Sequence, residues 1–326
     1  MKKVLGVSLG SSTRDHKVQI EILGEKVEIE RRGTDGDVKK MIQVFQEYDG
    51  KVDIFSLGGT DLYLYSGPNG KRYTIKESER IVSVIKNTPI VDGTGIKYVL
   101  EKSVVKYVEN QTDIVLKGKK ALVTITVDRF GLAEGLIEAG CEMTFGDLIF
   151  CLNVPIPMHS FKTINQIARI LLPIFVHVPI KYLYPTGEKQ EKSNPKYIKY
   201  FQKADIIAGD YLGISQYMPE EMEGKIVITN TVTSTNVKDL KNRGVSYLIT
   251  TTPEFEGRSF GTNVFQATLV AVSGKSPGMV QRPYGLWCED KKRVPRPQQA
   301  EFGVHKAEPV SGIEPADSRK NNKAAG

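Results

Sequence analysis

Between Lys119 and Asp147 the hydrophobic pattern changes period twice. Residues 121–127 form an unbroken β-rich run, as expected of a strand buried on both faces. Residues 131–139 switch to helical spacing, with Leu132, Leu136 and Ala139 on one side. Gly140 is placed to stop that helix in a left-handed conformation. Residues 141–145 begin a second strand, which Gly146 and Asp147 close. Strand, helix and strand in about thirty residues make the opening unit of a Rossmann-type sheet.

The pattern elsewhere can be placed around this unit. Before it, residues 4–9 and 52–57 read as buried strands and 88–92 as a short one. Residues 17–23 alternate apolar and polar, and Val27 and Ile29 continue the alternation, so the two segments predict a hairpin turning at Glu25 and Lys26. Helical stripes cover 37–48, 76–86 and 96–108, the last leading into a linker at 109–113. After the unit, two prolines keep 153–157 extended. Helices are predicted at 163–172, where Pro173 bends or ends the run, and at 195–202, 237–243 and 262–273. Strands are predicted at 205–208, 225–229 and 247–251. Strands alternating with helices predict a mostly parallel sheet covered on both faces. The fold class read from this order is α/β. An N-terminal α/β substrate domain (1–112) precedes a C-terminal Rossmann-type, doubly wound nucleotide-binding domain (113–275). Residues 276–326 are rich in Pro, Gly, Lys and Gln, which predicts a disordered tail.

Composition narrows the function classes. Of the net charge of +7, the segment from Lys275 onward carries ten Lys/Arg against six Asp/Glu. The remaining body is too mildly basic for a nucleic-acid footprint, which needs a clustered basic face. Three scattered cysteines without a CxxC spacing argue against a disulfide framework or structural zinc, and four histidines show no metal-binding pairing, so no metal is expected. Cys141 and Cys151 are expected to be buried, reduced fillers in a cytoplasmic protein. The most apolar stretch, 167–183, is interrupted by Arg169, Pro173, His177, Pro179 and Lys181, too often to span a bilayer. The oligomeric state stays open, with a homodimer among the options.

In open parallel sheets ligands bind beyond the carboxyl ends of the strands. Nearly every predicted strand ends there in small, polar or acidic residues, which favours a small-molecule crevice. A dinucleotide turn would follow residue 127, where a G-x-G-x-x-G/A pattern lets pyrophosphate approach backbone N–H groups. Asp128 and Phe130 stand at the first two glycine positions, Gly131 is the turn's only glycine, and Ala133 fits the third. Asp128 also reads as a helix N-cap, and Arg129 could meet phosphates. Asp147, at the second strand's end, stands where an acid receives ribose hydroxyls, which favours NAD over NADP. Asn230 and Thr251 are candidates for cofactor contact, or simple turn formers.

The strings VDRFGLAE, GDLIF, YPTGEKQ and TTTPEFEGRSFGTNVFQA resemble the quinate 5-dehydrogenase group of bacterial proteins, within the shikimate and amino-acid dehydrogenase-like superfamily. The resemblance covers about 1–274. It implies a substrate domain, a Rossmann domain with NAD or NADP, and a last helix returning to the cleft, with Gln266 on that helix reaching substrate. The family's catalytic Lys and Asp sit in an N-x-T-x-P-x-K setting that this sequence lacks; Lys97 is the nearest equivalent. A cleft lysine lowered by burial could carry a proton, so Lys97 with Asp92 or Asp61 is one candidate pair, and Lys189 is another candidate. Arg258 and Asn263 could hold an anionic substrate group. The leading reading is an NAD(P)-dependent oxidoreductase acting on a small hydroxylated or amino acid between the domains. The alternative is a non-catalytic nucleotide or metabolite binder. A third reading uses 167–183 to hold an acyl chain, with Cys151 as nucleophile.

Overall fold

Period-two alternation carries this architecture, because each central strand shows one set of side chains to each covering layer. The computed structural model describes residues 1–183, 196–255, 258–274 and 302–306, with 253–258 and 302–306 described by backbone alone. The first part runs β1 (Lys2–Ser8), β2 (His16–Ile22), β3 (Glu25–Gly33), α1 (Val38–Tyr48), β4 (Ile54–Gly58), β5 (Tyr63–Tyr65), β6 (Arg72–Thr74), α2 (Lys76–Val82), β7 (Ile90–Val91) and α3 (Thr94–Gln111). Its five-stranded sheet has the order β2-β3-β1-β4-β7. All neighbours are parallel except the β2–β3 hairpin. That hairpin turns at Leu23 and Gly24, both at positive φ, two residues before the expected connection.

The second part continues with β8 (Lys120–Val123), α4 (Phe130–Glu138), β9 (Glu142–Phe145), α5 (Asp147–Phe150), α6 (Phe161–Phe175), α7 (Ile180–Leu183), α8 (Ile198–Lys203), β10 (Ile206–Ala208), α9 (Tyr211–Tyr217), β11 (Ile226–Thr229), α10 (Ser234–Asn242), β12 (Tyr247–Phe255), β13 (Arg258–Ser259), α11 (Thr262–Ser273) and β14 (Phe302–Lys306). The strand order is β13-β12-β11-β10-β8-β9, with β14 pairing β12. From β9 to β12 every pair is parallel. Ala121, Val123, Ile206, Ala208, Ile226 and Ile228 face one core, together with α3 and α4. Leu122, Ile207 and Val227 face the other.

Three features depart from the sequence pattern. The expected strand 121–127 ends at Val123, and residues 124–129 form an irregular loop instead. Val104, Val105 and Val108 of α3, expected to close the first domain, pack into the core of the second sheet. In the tail expected to be disordered, Phe302–Lys306 adds an antiparallel strand to β12; the other tail residues lie outside the described ones. Gly140 takes the left-handed conformation expected of it, at φ 77°.

α11 does not stay with the sheet that precedes it. Val264, Phe265, Leu269 and Val270 pack with Val4, Val27, Ile29 and Ile54, covering one face of the first sheet. The other face is covered by α1 and α2, through residues including Met41, Phe45 and Ile81. Both sheets therefore switch strand order at the carboxyl end of their first strand, between β1 and β4 and between β8 and β10. Such points open crevices.

Candidate functional site

The two crevices share a cavity of about 640 Å³, within the usual range for small-molecule sites. The first sheet contributes Ser8, Gly10 and the turn from Gly58 to Asp61. The second contributes Asp128, Arg129, Asp210 and Asn230.

At the junction a lysine stands between two carboxylates. Lys97, in the first turn of α3, places Nζ 2.6 Å from Asp128 Oδ1 and 3.3 Å from Asp61 Oδ1. Asp61 follows β4 and Asp128 precedes α4, so the cluster draws on both sheets. Burial raises the Asp61 carboxyl to about 8 against the pull of Lys97, with Asp128 and Asp92 adding to the rise. Burial would also raise Asp128, but Lys97 and Arg129 outweigh it and hold that carboxyl below the usual range. Lys97 moves opposite to expectation. Burial alone would lower it, yet Asp128 and Asp61 raise it overall, so it stays an ammonium. Asp92 is spent on the backbone. It accepts from Leu62 N and Tyr63 N through one oxygen, and from Thr94 N and Oγ1 through the other.

The turn after β8 is occupied by the chain's own carboxylates. Glu101, on α3 and 1% exposed, accepts from Arg129 Nη1 at 3.0 Å and from Leu132 N at 3.1 Å. Asp147 accepts from Val127 N at 2.9 Å, and burial raises its pKa despite that bond. Arg129 is buried and lies within 3.1 Å of Asp128, Glu101 and Asp210 carboxylates. Phe130 points into the core, edge-on to Phe161. A Cβ on Gly131 would come 2.3 Å from the Tyr98 carbonyl oxygen, so this glycine serves helix packing. A nicotinamide dinucleotide would need free amides and open space at this corner. The arrangement around Leu132, Val127 and Asp128 does not fit a pyrophosphate there.

The remaining sequence candidates divide. Asn230 lines the cavity, donating to Asp210 and accepting from Tyr211 N. Asn263 also lines it, but its amide ties α11 to β4 through Ser56 Oγ and the Leu57 carbonyl. Thr251 and Gln266 are 1% and 0% exposed, have unpartnered side-chain atoms, and lie outside the cavity lining. Burial, not position along the chain, takes Gln266 away from any substrate in this conformation. Arg258 is described by backbone alone, and Lys189 lies outside the described residues. Cys151, expected to be buried, is exposed at the cavity wall. Asp210, just past the strand predicted at 205–208, is one of the acidic strand ends expected to line a crevice, whereas sequence reasoning missed Arg14, His16 and Glu101. Only Glu101 had a visible signal: a charge within the apolar stripe that holds Val104, Val105 and Val108.

Two family models match the sequence, a domain of unknown function (DUF8754) over residues 95–296 and another (DUF8753) over 3–92. The chain belongs to the DUF8754 family. No curated protein matches the sequence significantly. Among solved structures, the chain is similar to a galactofuranose binding protein at 9% identity, covering 85% of this chain and 90% of that one, with a TM-score of 0.31. It is similar to an NAD-dependent malic enzyme from Thermotoga maritima at 11% identity, covering 87% and 79%, TM-score 0.31. It is also similar to the bifunctional enzyme FolD, a methylenetetrahydrofolate dehydrogenase/cyclohydrolase from Campylobacter jejuni, at 11% identity, covering 83% and 87%, TM-score 0.31. Likenesses this distant carry no argument about activity. The Rossmann-type order of the second sheet rests on the strand pairing itself. Among the described residues, no helix is long and apolar enough to cross a membrane.

Proposed function

We propose that the protein is an enzyme acting on a small hydroxylated or amino acid in the cavity between the sheets, with Asp61 as proton carrier. The Asp61–Lys97–Asp128 cluster supports this reading. A carboxyl raised to about 8 holds its proton near neutrality and can also take one up. Asp128 stays ionised between Lys97 and Arg129, so the shared proton of the dyad resides on Asp61. In this protonated form Asp61 can protonate an oxyanion forming on the substrate, and in its ionised form it can accept the proton of a substrate hydroxyl.

The finer form of this reading is a dehydrogenase of the quinate or shikimate type, passing hydride to NAD or NADP. The Rossmann-type strand order supports that form. The bonds at the start of α4 stand against pyrophosphate there, so no step is assigned to the cofactor. A second reading, a non-catalytic metabolite binder, is favoured by the same observation, since Glu101 and Asp147 already fill the turn.

The test combines NADH and NADPH fluorescence titration with a turnover screen over hydroxy and amino acids. Cofactor binding with turnover that falls roughly a hundredfold or more in Asp61→Asn, at unchanged circular dichroism, supports the enzyme. Full turnover in Asp61→Asn removes the proton-carrier role. No cofactor binding at millimolar concentration sinks the dehydrogenase form, and no turnover in the screen then leaves the binder.

A further inference from the structure

We infer that the ligand of this cavity is amphipathic, a carboxylate seated at Arg14 with an unbranched apolar chain lying against α6. The inference keeps the acid substrate of the reading above, departs from its quinate or shikimate form, and rests on the same cavity being the ligand site.

The apolar part follows from α6. Ile164, near its start, packs in the core of the second sheet. Val176 and Ile180, just past its end, pack in a core of the first. Between these anchors Ile167, Leu171 and Phe175 follow one another at intervals of four residues, so they share one stripe. All three are half-buried and line the cavity. Leu148, Phe150 and Met158 line it as well. None of these side chains offers a strong hydrogen bond. A polyhydroxylated ring on this side would lose its water without replacement partners. A hydrocarbon chain would gain by the same burial.

The anionic part follows from the turn after β1. Arg14 ends a single 3-10 turn, Ser12–Arg14, and lines the cavity. Among the described residues no carboxylate pairs with its guanidinium. Burial lowers its pKa, and Asp210 acts on it from beyond ion-pair distance. Among the described residues this charge has no carboxylate in direct contact. His16 lines the same cavity, and its Nε2 is buried without a partner. The guanidinium fork matches a carboxylate in two-point contact. Asp128 and Asp210 also line the cavity, and these acids favour a singly charged head over a doubly charged phosphate.

Calorimetric titration of the full chain with octanoate, 1-octanol, butyrate, octyl phosphate and quinate tests the inference. Octanoate should bind one to one, and at least about tenfold more tightly than butyrate, because four methylenes are added to the buried chain. Arg14→Gln should weaken octanoate about tenfold and leave 1-octanol unchanged. Leu171→Asp should weaken both, with Phe175→Ser as the alternative if the first variant does not fold. Equal binding of butyrate and octanoate, no effect of Arg14→Gln, or stoichiometry far above one would overturn the inference. Tighter binding of octyl phosphate than octanoate would overturn the carboxylate assignment, and quinate binding insensitive to Leu171→Asp would overturn the apolar chain. Octanoate binding retained in Asp61→Asn separates this inference from the proton-carrier reading, which depends on turnover alone.

Discussion

Asp61 and Asp128 show how burial and neighbouring charge together decide the chemistry of a carboxylate. Asp61 is raised from 3.8 to about 8, so the fold favours its protonated form. That contribution to stability is complete below the unfolded value and is lost as pH rises toward 8. Asp128 is lowered, so its own contribution is lost only as pH falls below the ordinary aspartate range. Between pH 5 and 8, Asp61 therefore sets the slope within this dyad. Urea unfolding should show the wild type losing at most about 1.4 kcal/mol per pH unit relative to Asp61→Asn. Glu101→Gln removes the charge facing Arg129 while leaving an acceptor for Leu132 N. Arg129 keeps Asp128 and Asp210 but loses one of its three carboxylates, at a cost of about 2 kcal/mol, measurable as a lower urea midpoint at constant slope. Neither effect could be read along the chain, because Asp61, Lys97, Glu101 and Asp128 meet only after both sheets form.

Elements were legible where the local signal was complete. α1 starts beside Asp37, whose side chain accepts from Lys39 N and Lys40 N, and α11 has the limits that its apolar spacing predicts. α10 begins earlier than its apolar stripe because Thr233 and Asn236 form a capping box. Thr233→Ala should lower stability by about 1 kcal/mol, read from chemical denaturation. α6 passes through Pro173 and ends at Phe175. Pro173 cannot donate to the Arg169 carbonyl, and the helix ends two residues later. β8 is shorter than its apolar run: Thr124 N still bonds the Ala208 carbonyl, and beyond it Ile125 and Val127 line the cavity. β-propensity cannot distinguish these residues from a strand.

The first sheet depends on a helix from the far end of the chain. α11 covers one face of β1, β3 and β4, and Asn263 fastens its start to β4. We propose that the structural division falls near Gly93 rather than after residue 112, since α3 packs with the second sheet. A fragment of residues 1–112 exposes the apolar face that α11 covers and also strands α3. It should fail to fold by circular dichroism and should aggregate, whereas the full chain should unfold cooperatively. A folded, soluble 1–112 fragment would show that the first sheet does not need α11.

Alternation and helical spacing were enough to establish the α/β class, the Rossmann-type unit around Ala121 and the closing helix. These follow from contacts within or between neighbouring elements, which periodicity reports directly. The occupied turn at Leu132, the Asp61–Lys97–Asp128 cluster and the placement of Arg14 at the cavity come from residues far apart in the chain. Their charge states depend on burial and on partners brought close by folding, and spacing along a chain does not record either.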